Sequence, residues 1–171
     1  VTTASGLNAL IVEDNATFRR FFKDFLLGQY PFLRIAEAGD AVEATREIEA
    51  LVPDLIFMDI RLPGMSGMQL TKQIKARHPQ VKIVIVTNHG EREFLAEALA
   101  SKADGFFLKE TVSGEEFSAL IESISSEMGI DSGGLGVRSL SGAPPSDQPE
   151  AQSDEEEGNG QRLTKVGLQF A

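Results

Sequence analysis

Leu55-Ile56-Phe57-Met58-Asp59-Ile60-Arg61-Leu62-Pro63-Gly64-Met65-Ser66-Gly67 is the stretch of this 171-residue chain that decides its fold. Leu55 to Met58 is too short and too continuously apolar for a helix, and it reads as a strand buried on both faces. An acid ends it, and after Ser66 the apolar residues Leu70 and Ile74 recur at helical spacing. The same alternation extends in both directions. Ala9 to Val12, Leu33 to Ala36, Val81 to Val86 and Phe106 to Leu108 are further strand-like runs. Between and after them lie amphipathic stripes: Phe18, Phe21, Phe22 and Phe25 after Asn15; Val42, Thr45, Ile48 and Glu49 after Asp40; Phe94, Leu95, Ala98 and Leu99; and Phe117, Leu120, Ile121, Ile124 and Met128. Five strands alternating with five helices predict right-handed crossovers and a doubly wound α/β unit with a parallel sheet covered on both faces.

The polar residues at the ends of the apolar runs carry the chemistry. Glu13-Asp14 succeeds the first strand, Asp59 the third, Thr87 the fourth and Lys109 the fifth. In an open parallel sheet these carboxyl ends share one edge, so side chains far apart in sequence converge there. Three carboxylates at one edge repel one another unless a cation joins them, and an oxygen-only donor set suits Mg²⁺. A hydroxyl at Thr87 and an ammonium at Lys109 would then face the carboxylates and hold the oxygens of a transferring phosphoryl group. Asp59 is the expected nucleophile, since carboxylates form aspartyl-phosphate intermediates. Taken singly, each residue also has a plainer reading. Asp14 or Asn15 would serve as a helix cap, Lys109 as a surface lysine and Thr87 as a packed strand residue.

These residues, with Ile11-Val12-Glu13-Asp14-Asn15, Ile83-Val84-Ile85-Val86-Thr87 and Ala103-Asp104-Gly105-Phe106-Phe107-Leu108-Lys109, resemble the receiver domain of two-component response regulators over residues 7–128. The resemblance implies a flavodoxin-like (βα)5 sheet of strand order 2-1-3-4-5. It implies a phosphorylation-controlled switch, with Asp59 as phosphoacceptor from a sensor histidine kinase, a phosphotransfer protein or a small phosphodonor. Asp14 would bind Mg²⁺ directly, Glu13 through water, and the Arg61 backbone carbonyl would join Asp59 in completing the protein ligands. Lys109 would neutralise the acyl phosphate, Thr87 would swing toward it, and Phe106 would turn in. The face made by the fourth helix, fifth strand and fifth helix would then change its contacts with an output protein or a second copy.

Two departures from the family pattern stand out. Asn88 comes after Thr87 where a small residue is usual; with Arg61 and His89 at the mouth, it is expected to alter phosphate lifetime. Glu110 comes after Lys109 where proline is common, which removes the cis bond that often fixes that loop and resembles the subgroup fused to a helix-turn-helix output domain. Three other functions compete with the switch. An aspartyl phosphatase wants a second acid two residues after its nucleophile, and Arg61 stands there. A flavin module needs a first loop that cradles phosphate, which Glu13-Asp14 would repel. A receiver-like interaction domain that is never phosphorylated would not need the full set of polar strand ends.

Composition bounds the remaining possibilities. With 26 acidic against 16 basic residues the net charge is −10, so an electrostatic hold on nucleic acid or an anionic membrane is not expected. No cysteine is present, which excludes disulfides, thiolate metal sites and thiol nucleophiles and is compatible with a reducing cytoplasm. No apolar run is long enough to span a bilayer. Val1 to Leu7 has neither an initiator Met nor a secretory pattern, so a trimmed or processed product is expected. From Asp131 onward 15 of 41 residues are Gly, Pro or Ser, and this region includes the acidic run Asp154 to Glu157. Residues 129–171 are therefore expected to form a disordered acidic tail with no output domain. Leu163, Val166, Leu168 and Phe170 are apolar again and read as a frayed end, with a docking peptide or the remnant of a missing second domain as the alternatives. Leu163-Thr164 echoes the start of a helix-turn-helix, but the sequence stops seven residues later, so no DNA binding by this chain is expected.

Overall fold

The computed structural model describes residues 6–130 and 168–169. Strand β1 (Leu7–Val12) leads to α1 (Ala16–Gln29), β2 (Leu33–Ala38) to α2 (Ala41–Ala50), and β3 (Leu55–Met58) to α3 (Gly67–Arg77). Strand β4 (Lys82–Thr87) leads to α4 (Arg92–Ala100), and β5 (Gly105–Leu108) to a 3₁₀ turn (Lys109–Thr111) and α5 (Glu115–Glu127). The five strands are parallel in the order β2-β1-β3-β4-β5, as the resemblance implies. A sixth strand, β6 (Leu168–Gln169), adds to β5 in the antiparallel sense and is not expected from the sequence. The tail expected over 129–171 otherwise falls outside the described residues, except for Gly129 and Ile130.

The sheet separates two cores of different chemistry. On the face of α1 and α5 the core is aromatic. Phe22 meets Phe57 edge-on with centroids 5.1 Å apart, and Phe107 meets Phe117 at 5.3 Å. On the face of α2, α3 and α4 it is aliphatic, built from residues such as Leu10, Ile56, Ile83, Ile85 and Ile74. Each fully buried large side chain contributes about 1.5–3 kcal/mol of transfer free energy.

Helix starts obey the local sequence. Asn15, Asp40 and Ser66 cap α1, α2 and α3 by accepting the backbone N–H of Phe18, Glu43 and Met68. Helix α5 closes on Gly129, whose φ of 71° is the left-handed conformation a Schellman ending requires. The Gly129 N–H bonds the Ser126 carbonyl, the Ile130 N–H bonds that of Ser125, and Ile130 packs on the aromatic core. These two residues, which composition groups with the tail, therefore complete the helix.

Two expected stripes are corrected. In α2 the buried residues are Ala41, Ala44 and Ile48, while Val42 is 79% exposed and Glu49 is exposed. In α4 only Ala98 is buried; Phe94 and Leu95 are half-buried and Leu99 is exposed. At the C-terminal cap of α5, Met128 is partly exposed, whereas the other four expected residues are buried.

Candidate functional site

Strand register brings the polar residues to one edge. Val12 pairs with Met58, so Glu13 and Asp59 stand side by side one residue further on, and the Asp59 N–H bonds the Val12 carbonyl at 2.9 Å. Thr87 pairs with Leu108, which puts Lys109 one residue beyond it. Glu13, Asp59, Thr87 and Lys109 are all buried, and they are most of the buried polar side chains among the described residues. Such groups persist in an interior only when paired or when used.

The pairing is specific. The Lys109 ammonium lies 2.7 Å from Glu13 Oε2 and donates to Asp59 Oδ2 at 3.2 Å. The second oxygen of each acid accepts a backbone N–H, Glu13 Oε1 from Asn15 at 3.1 Å and Asp59 Oδ1 from Ile60 at 2.7 Å. Burial pushes the Glu13 carboxyl up to about 7; the negative charge of Asp59 adds to this, and Lys109 offsets part of it. For Lys109, burial is the largest influence and favours the neutral amine. The charges of Asp59 and Glu13 outweigh it, so the ammonium holds its proton more tightly than an ordinary lysine.

Carboxylate oxygens of Glu13, Asp14 and Asp59 lie within 4.8 Å of one another, with Asp14 exposed at the mouth. Three hard oxygen donors at that spacing, one of them open to solvent, fit a small divalent cation that keeps part of its water shell. Asp14 does not cap α1, since Asn15 does, and its carboxylate stays with the acid cluster. Arg61 and Asn88 are exposed at the rim. Thr87 is fully buried, and its hydroxyl accepts the His89 N–H at 3.3 Å. Phe106 is buried in the aliphatic core, so its ring already sits inward.

Three supporting residues escape a reading of the sequence. Phe18, whose spacing marks it only as core, places its ring 4.5 Å from the Lys109 ammonium, a cation–π contact that steadies the side chain. Arg19 donates to the Glu13 carbonyl at 2.6 Å and pairs with Glu37 at 3.4 Å, tying α1 to the acidic loop. Gly67 lies so close under Asp59 that a Cβ there would fall 1.8 Å from the Asp59 carbonyl oxygen. No spacing in the sequence signals a close approach of that kind.

Residues 9–122 match the family described as the response regulator receiver domain. The transcriptional regulatory protein DegU of Brevibacillus brevis is 30% identical over 118 residues, which are 69% of this chain and 48% of that protein. The transcriptional regulatory protein YdfI of Bacillus subtilis (strain 168) is 36% identical over 104 residues, 61% of this chain and 48% of that one. The chain thus spans about half the length of these curated relatives. Among solved structures, a LuxR-family two-component response regulator from Aurantimonas sp. SI85-9A1 superposes with a TM-score of 0.64 at 28% identity, covering 71% of this chain and 87% of that one. The response regulator domain of Thermotoga maritima CheB gives 0.61 at 29% identity, covering 74% and 98%.

Proposed function

The chain belongs to the response regulator receiver domain family, and from that premise we propose that Asp59 is the residue on which its switch is set. The observation that supports this most is the buried Asp59 carboxylate held between Lys109 and the Glu13 side of an acidic cluster. In the proposed reaction an Asp59 oxygen attacks the phosphorus of a phosphohistidine or of an acyl phosphate such as acetyl phosphate. The new P–O bond forms as the P–N or P–O bond to the donor breaks, and the electron pair leaves with the donor.

Lys109 brings fixed positive charge to Asp59 Oδ2 and needs no reorganisation to meet the charge on the acyl phosphate. Thr87, at the end of the neighbouring strand, supplies a hydroxyl that can turn toward a phosphoryl oxygen. Phe106 already lies inward, so on this reading phosphorylation holds its ring there and need not turn it in. Glu13, Asp14, Asp59 and the Arg61 carbonyl would hold Mg²⁺, which supplies charge neutralisation for the phosphoryl oxygens. Each phosphorylation changes the protein itself, so we read a switch and not a turnover catalyst. Its domain is residues 7–128, with Gly129 and Ile130 as the closing cap. Its donors are histidine kinases or phosphotransfer proteins in the cytoplasm. Its output is a contact through α4, β5 and α5. Among the described residues no helix is long and apolar enough to cross a membrane.

Incubation with acetyl phosphate and Mg²⁺, with intact mass as the readout, tests the assignment. Wild type should gain one phosphoryl group, while Asp59→Asn should gain none; equal gain by both would remove Asp59 as acceptor. The decay of the same species measures the rim, since Asn88→Ala should change its half-life if Asn88 crowds the phosphoryl or its attacking water.

A further inference from the structure

Strand β5 is the last of the parallel strands, and beyond it an edge presents unpaired backbone N–H and C=O groups. In this structure that edge is taken by the chain itself: Leu168 pairs with Phe106 and Gln169 with Gly105, antiparallel. The sequence carries a second observation. Val166, Leu168 and Phe170 alternate with Gly167 and Gln169, the period of two that a strand uses and a helix does not. The 37 residues from Asp131 to Gly167 join this segment to the end of α5. A tether of that length can span at most roughly 120 Å, about three times the width of a domain of this size, and holds the segment at an effective concentration on the order of millimolar.

We propose that the strand Leu168–Gln169 is a built-in occupant of the β5 edge, which the chain adds to its own sheet. The pairing holds the backbone at Phe106 and covers an edge between α4 and α5. While it is in place, a second copy or an output protein that would use that edge must displace it. The segment is therefore an intramolecular competitor for the output face. The consequence for output rests on the switch reading proposed above, but the strand pairing does not.

The absence of cysteine makes the pairing directly testable. Directly opposed residues in an antiparallel pair have Cα atoms roughly 4.5–5.5 Å apart, within the range a disulfide spans. In the full chain, Phe106→Cys with Leu168→Cys should close an intramolecular disulfide much faster than the control Phe106→Cys with Ser153→Cys. Equal rates overturn the proposal, and so does a disulfide-linked dimer, which would assign the strand to another copy. Hydrogen exchange on the unsubstituted chain guards against misfolding of the Phe106 variant. At least one amide from Gly105 to Phe107 should exchange about tenfold more slowly in the full chain than in one ending at residue 162. Identical exchange overturns the proposal. Neither readout involves phosphate, so failure of the Asp59 assignment leaves both unchanged. The competitive role is read separately with beryllofluoride and Mg²⁺, where the shortened chain should self-associate at lower concentration than the full one. The same association curve for both overturns that role.

Discussion

Gly67 shows how little room the site leaves a single residue. A methyl group at this position would lie 1.8 Å from the Asp59 carbonyl oxygen, so the loop from Asp59 to α3 must move if any side chain is introduced. Gly67→Ala should cost on the order of 3 kcal/mol, read as a lower urea midpoint, and should slow phosphorylation by acetyl phosphate because the displaced backbone carries Asp59. At this scale the sequence reveals the ionisable groups and hides their supports. Glu13, Asp14, Asp59, Thr87 and Lys109 are legible because each breaks an apolar run at the same relative place. Phe18 is not, because a ring that steadies an ammonium has the same sequence signature as a ring that fills a core. Gly67 is not, because close backbone approach is a property of two loops brought together.

Among the elements, strands are easier to read than helix faces. A strand buried on both faces shows itself as an unbroken apolar run, and β3 is bounded by the residues that the run predicts. The apolar pattern of α2 points one position out of phase. Its inward stripe is made of Ala41, Ala44 and Ile48, and alanine carries too little apolar surface to outvote Val42 in a pattern. The two positions make a paired prediction. Val42→Lys, on a side chain 79% exposed, should change stability by less than about 0.5 kcal/mol. Ala44→Leu, at a position with no exposure, should cost about 1–3 kcal/mol through overpacking against the sheet. Urea denaturation of both variants checks it, and similar losses for the two would return Val42 to the interior. The antiparallel β6 shows in the sequence as a short apolar alternation, but its pairing with β5 does not, since the partner strand is distant in sequence and no local turn announces it.

For the whole molecule, one hydrogen bond ties the first helix to the last. The buried Tyr30 hydroxyl, at the end of α1, donates to Ser118 Oγ of α5 at 3.1 Å. Burial lifts this phenol above its ordinary 10.0, the charge of Glu122 adds to the rise, and the Ser118 contact offsets part of it. Between the unfolded and the folded value the folded chain keeps a proton that the unfolded chain has released. The contribution is therefore full below a pH of about 10 and is lost as pH climbs through the folded value. Tyr30 is the sole tyrosine and there is no tryptophan, so its ultraviolet absorbance reports the ionisation without interference. The stability of wild type should decline more steeply than that of Tyr30→Phe between about pH 9 and about pH 11, and parallel slopes would contradict the shift.

The contact between Lys109 and Glu13 joins the end of the fifth strand to the end of the first, across most of the domain's sequence. During synthesis the acids and the acceptor emerge early, whereas the ammonium that balances them arrives only when β5 has been made and docked. On the proposed reading, the acceptor and its counter-charge are therefore together only in a chain whose last parallel strand has docked.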